Sequence, residues 1–132
     1  MTRRKTRLTI VGGALALTLG ASFMWARASA QTDDQDVLKV IPENYTLIID
    51  NPFVRVLEAR IPAGTEEKPH RHLKGVSVCL TEYTLESRTL PDGAWTRNER
   101  KVGTTYWSDA SLHQVRNVGK TQSHTIRIEL KH

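Results

Sequence analysis

Cysteine is almost missing from this chain: Cys79 is the only one. An intramolecular disulfide is therefore excluded, and the fold must be held by packing, by a metal or by association with another chain. Cys79 itself is expected to pack as a small apolar residue. A sustained helical period is also missing, since no segment after residue 36 repeats apolar residues every three to four positions for long enough to make a helix. A charge excess is missing where it would count. The whole chain is formally +5, but Arg3, Arg4, Lys5, Arg7 and Arg27 lie within residues 1–30, and no Asp or Glu does. Residues 31–132 thus hold 14 of the 19 basic residues against all 14 acidic ones. A neutral remainder has no basic field with which to recognise nucleic acid or an anionic membrane.

What is present begins at the N-terminus. The basic start is followed by an uncharged run from Leu8 to Ala26 and by Arg27-Ala28-Ser29-Ala30. A basic head, an apolar middle and an Ala-x-Ala end read as a secretory signal peptide over residues 1–30, cleaved after Ala30. The alternative is an uncleaved membrane anchor, because the run of 19 residues is just long enough to span. Thr2-Arg3-Arg4 matches part of a twin-arginine export signal, an alternative to the general secretory route, although Thr6-Arg7 stands where that signal has an apolar pair. Either export route places the mature chain in the periplasm or outside the cell. With the segment removed, no contact with the membrane is expected.

Residues 31–36 are polar and acidic and are expected to form a flexible terminus. From residue 37 to 132, short β-branched and apolar segments alternate with turn signals. Val37–Ile41, Tyr45–Ile49, Phe53–Ile61, Val76–Leu90, Ala94–Val102, Thr104–Trp107, Leu112–Val118 and Thr121–Leu130 are separated by Pro, Gly, Asn and Asp. This spacing predicts one all-β domain, a sandwich or barrel.

The segment with chemical content is Gly64-Thr65-Glu66-Glu67-Lys68-Pro69-His70-Arg71-His72. Two histidines at i, i+2 in a strand share one face, with backbones about 6.5–7 Å apart. Both can converge on one ion. His113 lies downstream, in His113-Gln114-Val115-Arg116-Asn117. Val76, Val78 and Leu80 have the parity of His70 and His72, so they are expected to face inward with them, provided the register holds across Leu73-Lys74-Gly75. His124 has the parity of Ile126 and is expected at the rim or in packing, His132 in solvent, and Asn117 as a cap for the turn before Gly119.

These motifs resemble the cupin superfamily, small β-barrels with a metal centre inside. Gly64, five residues and His70-Arg71-His72 match the start of the first cupin motif. His113 and Asn117 match the His and Asn of the second, while Ser108 and Ala110 replace its Pro and Gly. The resemblance runs from about Asn51 to Leu130 and is closest to the small single-domain, cupin type-2-like proteins. It implies a jelly-roll barrel, a metal held by His70, His72 and His113, and a homodimer. The acid of the first motif would fall at Val76 or Ser77, and neither is acidic. Glu66, Glu67 and Asp109 are near in sequence but are expected on solvent-facing turns. Glu82, with the inward parity of Val78, is a distant substitute.

Three neutral imidazoles with an open position suit a divalent Zn, Fe, Mn, Ni or Cu ion. They add no negative charge, which favours an anionic ligand. One reading is an exported enzyme with dioxygenase- or isomerase-type chemistry on a small organic molecule. A second is a non-catalytic module that binds a metal or small ligand. A third is a metal-free oligomerising barrel. Arg55, Arg60, Arg88, Arg97, Arg100 and Lys101 are expected on solvated strand faces, although any of them could enter the cavity and bind a carboxylate. Of Tyr106 and Trp107, alternation turns one toward the cavity and the other out. Trp95 is expected in ordinary packing, or stacked on a ligand.

Overall fold

A computed structural model describes residues 34–132. The expected signal peptide and cleavage point therefore lie outside the described residues. Nine strands follow one short helix: α1 (Val37–Val40), β1 (Tyr45–Asp50), β2 (Val54–Ile61), β3 (His70–His72), β4 (Gly75–Cys79), β5 (Tyr83–Thr89), β6 (Thr96–Arg100), β7 (Thr105–Ser108), β8 (Ser111–Asn117) and β9 (Ser123–Leu130). They form two sheets, ordered β1-β2-β9-β4-β7 and β3-β8-β5-β6, and every ladder is antiparallel. This is the expected all-β jelly roll.

Three local expectations are corrected. Val37–Ile41 is one helical turn, not a strand, because the Asp36 carboxylate accepts the Leu38 N–H and caps it. Asp36, at the end of the segment expected to be flexible, also pairs with Arg55 at 2.7 Å. Val76–Leu90 is two strands, β4 and β5, broken at residues 80–82.

The third correction concerns facing. On β4 the buried positions are Gly75, Ser77 and Cys79, while Val76 and Val78 are half-buried on the other face. On β9 they are Ser123, Thr125, Arg127 and Glu129, with Ile126 and Ile128 on the other face. The inward parity of the histidines does not pass to Val76 because β3 and β4 belong to different sheets. The chain crosses between them at Leu73-Lys74. Gly75 permits the landing: a Cβ there would lie 2.0 Å from the Ile128 carbonyl oxygen. The interior of the five-stranded sheet is therefore largely polar, and apolar burial concentrates in a cluster of Val37, Ile41, Tyr45, Leu57 and Ala59 under α1.

Candidate metal centre

β3 pairs with β8 so that His70 stands opposite His113. With His72 two residues along the same face, the three rings meet edge to face. Their centroids are 4.6 Å apart for His70 and His113, 5.0 Å for His70 and His72, and 5.2 Å for His72 and His113. One ligand atom from each lies within 4.8 Å of the others. His70 is fully buried and His72 nearly so.

The hydrogen bonds fix which nitrogen is free. His70 Nδ1 donates to the Lys68 carbonyl at 2.8 Å, which leaves Nε2 with its lone pair. His72 Nδ1 donates to Glu129 Oε1 at 2.5 Å, which again leaves Nε2. His113 Nε2 lies 2.9 Å from His70 Nε2. Two nitrogens bound to one ion at about 2.0–2.1 Å stand roughly 2.9–3.4 Å apart, so this separation suits joint ligation. All three rings are held neutral, the form that ligates. Burial pushes His70 down to about 4 and His113 to about 2, and lowers His72 as well; the crowding of the rings adds to the shift at His70 and His113. The donor set fits a divalent transition metal.

Two carboxylates support the trio, and neither is at the position the motif reserves for an acid. Glu129 comes from β9. Burial alone would raise its carboxyl, but the bonds from His72 and Arg55 outweigh that and hold it at about 2. Arg55 Nε and Arg127 Nε both donate to it, the latter at 3.0 Å. Arg55 is thus a half-buried ion-pair partner, not the solvated residue expected. Arg127 also donates to Ser77 Oγ at 3.2 Å and to the Leu73 carbonyl at 2.6 Å. Glu129 is the carboxylate that sets the tautomer of His72, as an outer-shell carboxylate does for a metal-binding histidine. No motif pointed to it; the only sequence signal was an acid and an arginine alternating among the apolar residues of the last strand.

The second carboxylate is Glu67. Expected on a solvent-facing turn, it is 2% exposed. It accepts from Asn44 Nδ2 at 2.8 Å and from the Tyr45 hydroxyl at 3.4 Å, and its Oε2 lies 3.8 Å from His70 Nε2. Burial raises its carboxyl to about 7, against the pull of those two bonds. Glu66 and Asp109 are exposed, where they accept from Gln114 and Trp107. Glu82 is exposed beside Lys101 and is no substitute ligand.

The remaining candidates fall away from the trio. His124 lies on the outer face and meets Glu58 at 2.7 Å, and His132 is exposed near the Pro52 carbonyl. Asn117 is buried, donates to the Ile61 and Thr121 carbonyls and accepts the Gly119 N–H, so it is the turn cap expected. Trp95 lies between the guanidiniums of Arg88 and Arg116. Tyr106 is half-buried and Trp107 is 51% exposed, yet both border the cavity, so alternation does not exclude either. Cys79 is fully buried, with Sγ 3.1 Å from the Tyr83 hydroxyl.

A cavity of about 250 Å³ adjoins the trio, lined by His72 and His113 and by Tyr45, Tyr83, Tyr106, Ser77, Arg100 and Arg127 among others.

A cupin domain from Bordetella pertussis Tohama I is 33% identical, over 67% of this chain and 92% of that one, with a TM-score of 0.60. A cupin 2 conserved barrel domain protein from Salinispora arenicola is 20% identical over 64% of this chain and 71% of that one, with a TM-score of 0.46. KdgF from a Halomonas species is 13% identical over 67% and 77%, with a TM-score of 0.49. No family model matches the sequence, and no curated protein does. The chain belongs to the cupin superfamily, as a small protein with a single barrel domain and three clustered histidines able to hold a metal.

Proposed function

We propose that this protein is an exported metal-dependent cupin that binds a small organic anion at a His70, His72 and His113 centre and carries out isomerase-type proton transfer on it. One observation carries the reading: the Lys68 carbonyl and the Glu129 carboxylate occupy the Nδ1 atoms of His70 and His72, so both Nε2 lone pairs are committed to the space that His113 Nε2 also enters. A bound divalent ion supplies Lewis-acid polarisation of a ligand oxygen. The chain supplies the rest. Three neutral imidazoles add no negative charge in direct contact with the ion, which favours an anionic ligand at its open position. Glu67 is assigned the proton-accepting role as the carboxylate beside the centre, its Oε2 3.8 Å from His70 Nε2, although it does not itself line the cavity. Tyr45 and Asn44 hold that carboxylate in position.

Elemental analysis tests the centre. About one equivalent of Zn, Fe, Mn, Ni or Cu per wild-type chain is expected, with none in His70→Ala/His72→Ala. Metal below stoichiometry that the double variant leaves unchanged would sink it. Glu67→Gln tests the proton-transfer role, since it should retain the metal and lose exchange of ligand C–H hydrogen with solvent deuterium, read by NMR.

Export and assembly belong to the same proposal. Cleavage after Ala30 gives a mature chain starting at Gln31, in the periplasm or secreted; mass spectrometry that finds another start overturns the boundary. Homodimer formation is supported by β1. It is the edge of the five-stranded sheet, and Leu47, Ile48 and Ile49 are exposed at 44%, 52% and 49% around a register shift. An apolar edge strand with unpaired backbone groups invites a second copy, and the formally neutral segment 31–132 does not repel it.

A further inference from the structure

We infer that Asp36 is a positioning residue of the metal centre: the segment before α1 aims His72 through Arg55 and Glu129, although it carries no ligand. The inference rests on the metal-centre reading and extends that centre beyond the two sheets to the N-terminal segment. The first link runs along the backbone. β3, which bears His70 and His72, is the edge strand of its sheet. On its open side the N–H of Arg71, the residue between the two histidines, donates to the Gln35 carbonyl at 2.6 Å, and Asp36 runs parallel beside Arg71. The residues just before α1 thus close the edge that the ligand strand would otherwise leave unpaired.

The second link is ionic. Both oxygens of the Asp36 carboxylate are committed: Oδ1 accepts the Leu38 N–H at 3.0 Å, and Oδ2 lies 2.7 Å from Arg55 Nη2. That nitrogen is buried and has no hydrogen-bond partner among the described residues, so the Asp36 charge is what offsets its burial. On the same planar group, Arg55 Nε donates to Glu129 Oε2. A rigid guanidinium pinned between two carboxylates cannot turn about either one. With Oε2 fixed, Oε1 is left to His72 Nδ1, at 2.5 Å, and to Arg127 Nε, at 3.0 Å. The contacts therefore run from Asp36 to Arg55, Glu129 and His72 in turn. α1 keeps the first member in place: Val37 is fully buried in one cluster with Tyr45, whose ring lies 5.4 Å from that of His72.

The test is Asp36→Asn in the full chain, loaded with zinc or with cobalt(II). Asn caps a helix as well as Asp does, so α1 is kept and only the charge is lost. Asp34→Asn is the control, since it removes the same charge from a carboxylate whose ion pair is with exposed Lys39 at 3.6 Å. Competition with a chromophoric chelator should show zinc held about three- to tenfold more weakly in Asp36→Asn, a step below the loss expected for a direct partner of a ligand. Asp34→Asn should match the wild type. The visible absorption of the cobalt(II) form should shift in Asp36→Asn alone, a change that a merely structural role would not produce. In a Glu129→Gln background, Asp36→Asn should weaken zinc no further, because it acts through that carboxylate. Wild-type zinc affinity and cobalt spectrum in Asp36→Asn, an equal loss in Asp34→Asn, or losses that add in the double variant would each overturn the inference. Failure of the metal reading looks different: the wild type itself would take up neither ion, and both conclusions would go together.

Discussion

The two sheets divide the labour of the site unequally. The four-stranded sheet supplies all three histidines that could hold a metal, from β3 and β8. The five-stranded sheet supplies no ligand. It supplies Glu129 and Arg127 from β9 and Arg55 from β2, the ionic cluster that aims one of those ligands. The difference teaches that the candidate ligands are written in two paired strands of one sheet, whereas the orientation of one of them, His72, is written 57 residues away on the facing sheet. The two functions can therefore be broken separately.

The largest effect is expected from the ligand sheet. His70→Ala/His72→Ala should reduce bound metal from about one equivalent to none, and metal-dependent protection against thermal unfolding should vanish with it. On the aiming sheet, Glu129→Gln leaves every ligand in place. It should nonetheless weaken metal affinity by about 10–100-fold, read by competition with a chelator. It should also cost the metal-free protein roughly 3 kcal/mol in urea unfolding, because buried Arg127 keeps its charge without its anion and Arg55 is left with Asp36 alone. Affinity unchanged in Glu129→Gln would show that the facing sheet does not aim His72.

The same division explains what the sequence made legible. His70, His72 and His113 could be found because each ligand position sits in a short pattern that needs no tertiary information beyond strand pairing. Glu129 could not, since its role depends on which face of β9 turns inward. The apolar Ile126 and Ile128 argue for the wrong face, because hydrophobic alternation marks the core only when the interior is apolar. Here the interior is a lined cavity, so Ser77, Thr125 and Arg127 take the inner positions. Glu67 was misplaced for a related reason. A charged residue between Gly64 and Pro69 reads as a solvated turn, and only the side chains of Asn44 and Tyr45 make its burial tolerable. The helical turn at Val37–Val40 was missed because four residues are too few to show a period.

Acid titration should separate the sheets more gently. In the metal-free protein, His70 is lowered from 6.5 to about 4 and His113 from 6.5 to about 2, and His72 is lowered too. The unfolded chain therefore binds protons near 6.5 that the native state refuses, and stability falls as pH drops below that point. Glu67 opposes this. Raised from 4.5 to about 7, it favours the native state fully below 4.5, and that contribution is lost as pH rises through 7. Three histidines outweigh one glutamate, so the melting temperature should decline from pH 6.5 toward 4.5. Glu129, lowered from 4.5 to about 2, stabilises above 4.5 and is lost as pH falls toward 2. The aiming sheet therefore adds its loss only in that second, more acidic window. Glu67→Gln removes the opposing group and should steepen the first decline. A melting temperature that is flat or rises on acidification from 6.5 to 4.5 would contradict the buried neutral histidines.

The smallest effect on the site should come from the outer edge of the aiming sheet. Ile48 is 52% exposed on β1, and its side chain forms no part of the cavity lining. Ile48→Lys places a charge on the strand edge, the device by which natural sheets refuse edge pairing. The folded chain should lose no more than about 0.5 kcal/mol, as for other surface changes. Metal stoichiometry should stay at the wild-type value, since β3, β8 and the ionic cluster are untouched. What should change is mass in solution: light scattering after size exclusion is expected to show a dimer for the wild type and a monomer for Ile48→Lys. A wild type that is already monomeric, or a variant that stays dimeric, removes β1 as the interface. Metal loss in a monomeric Ile48→Lys would mean more, because the aiming of His72 would then depend on a second copy as well as on Glu129.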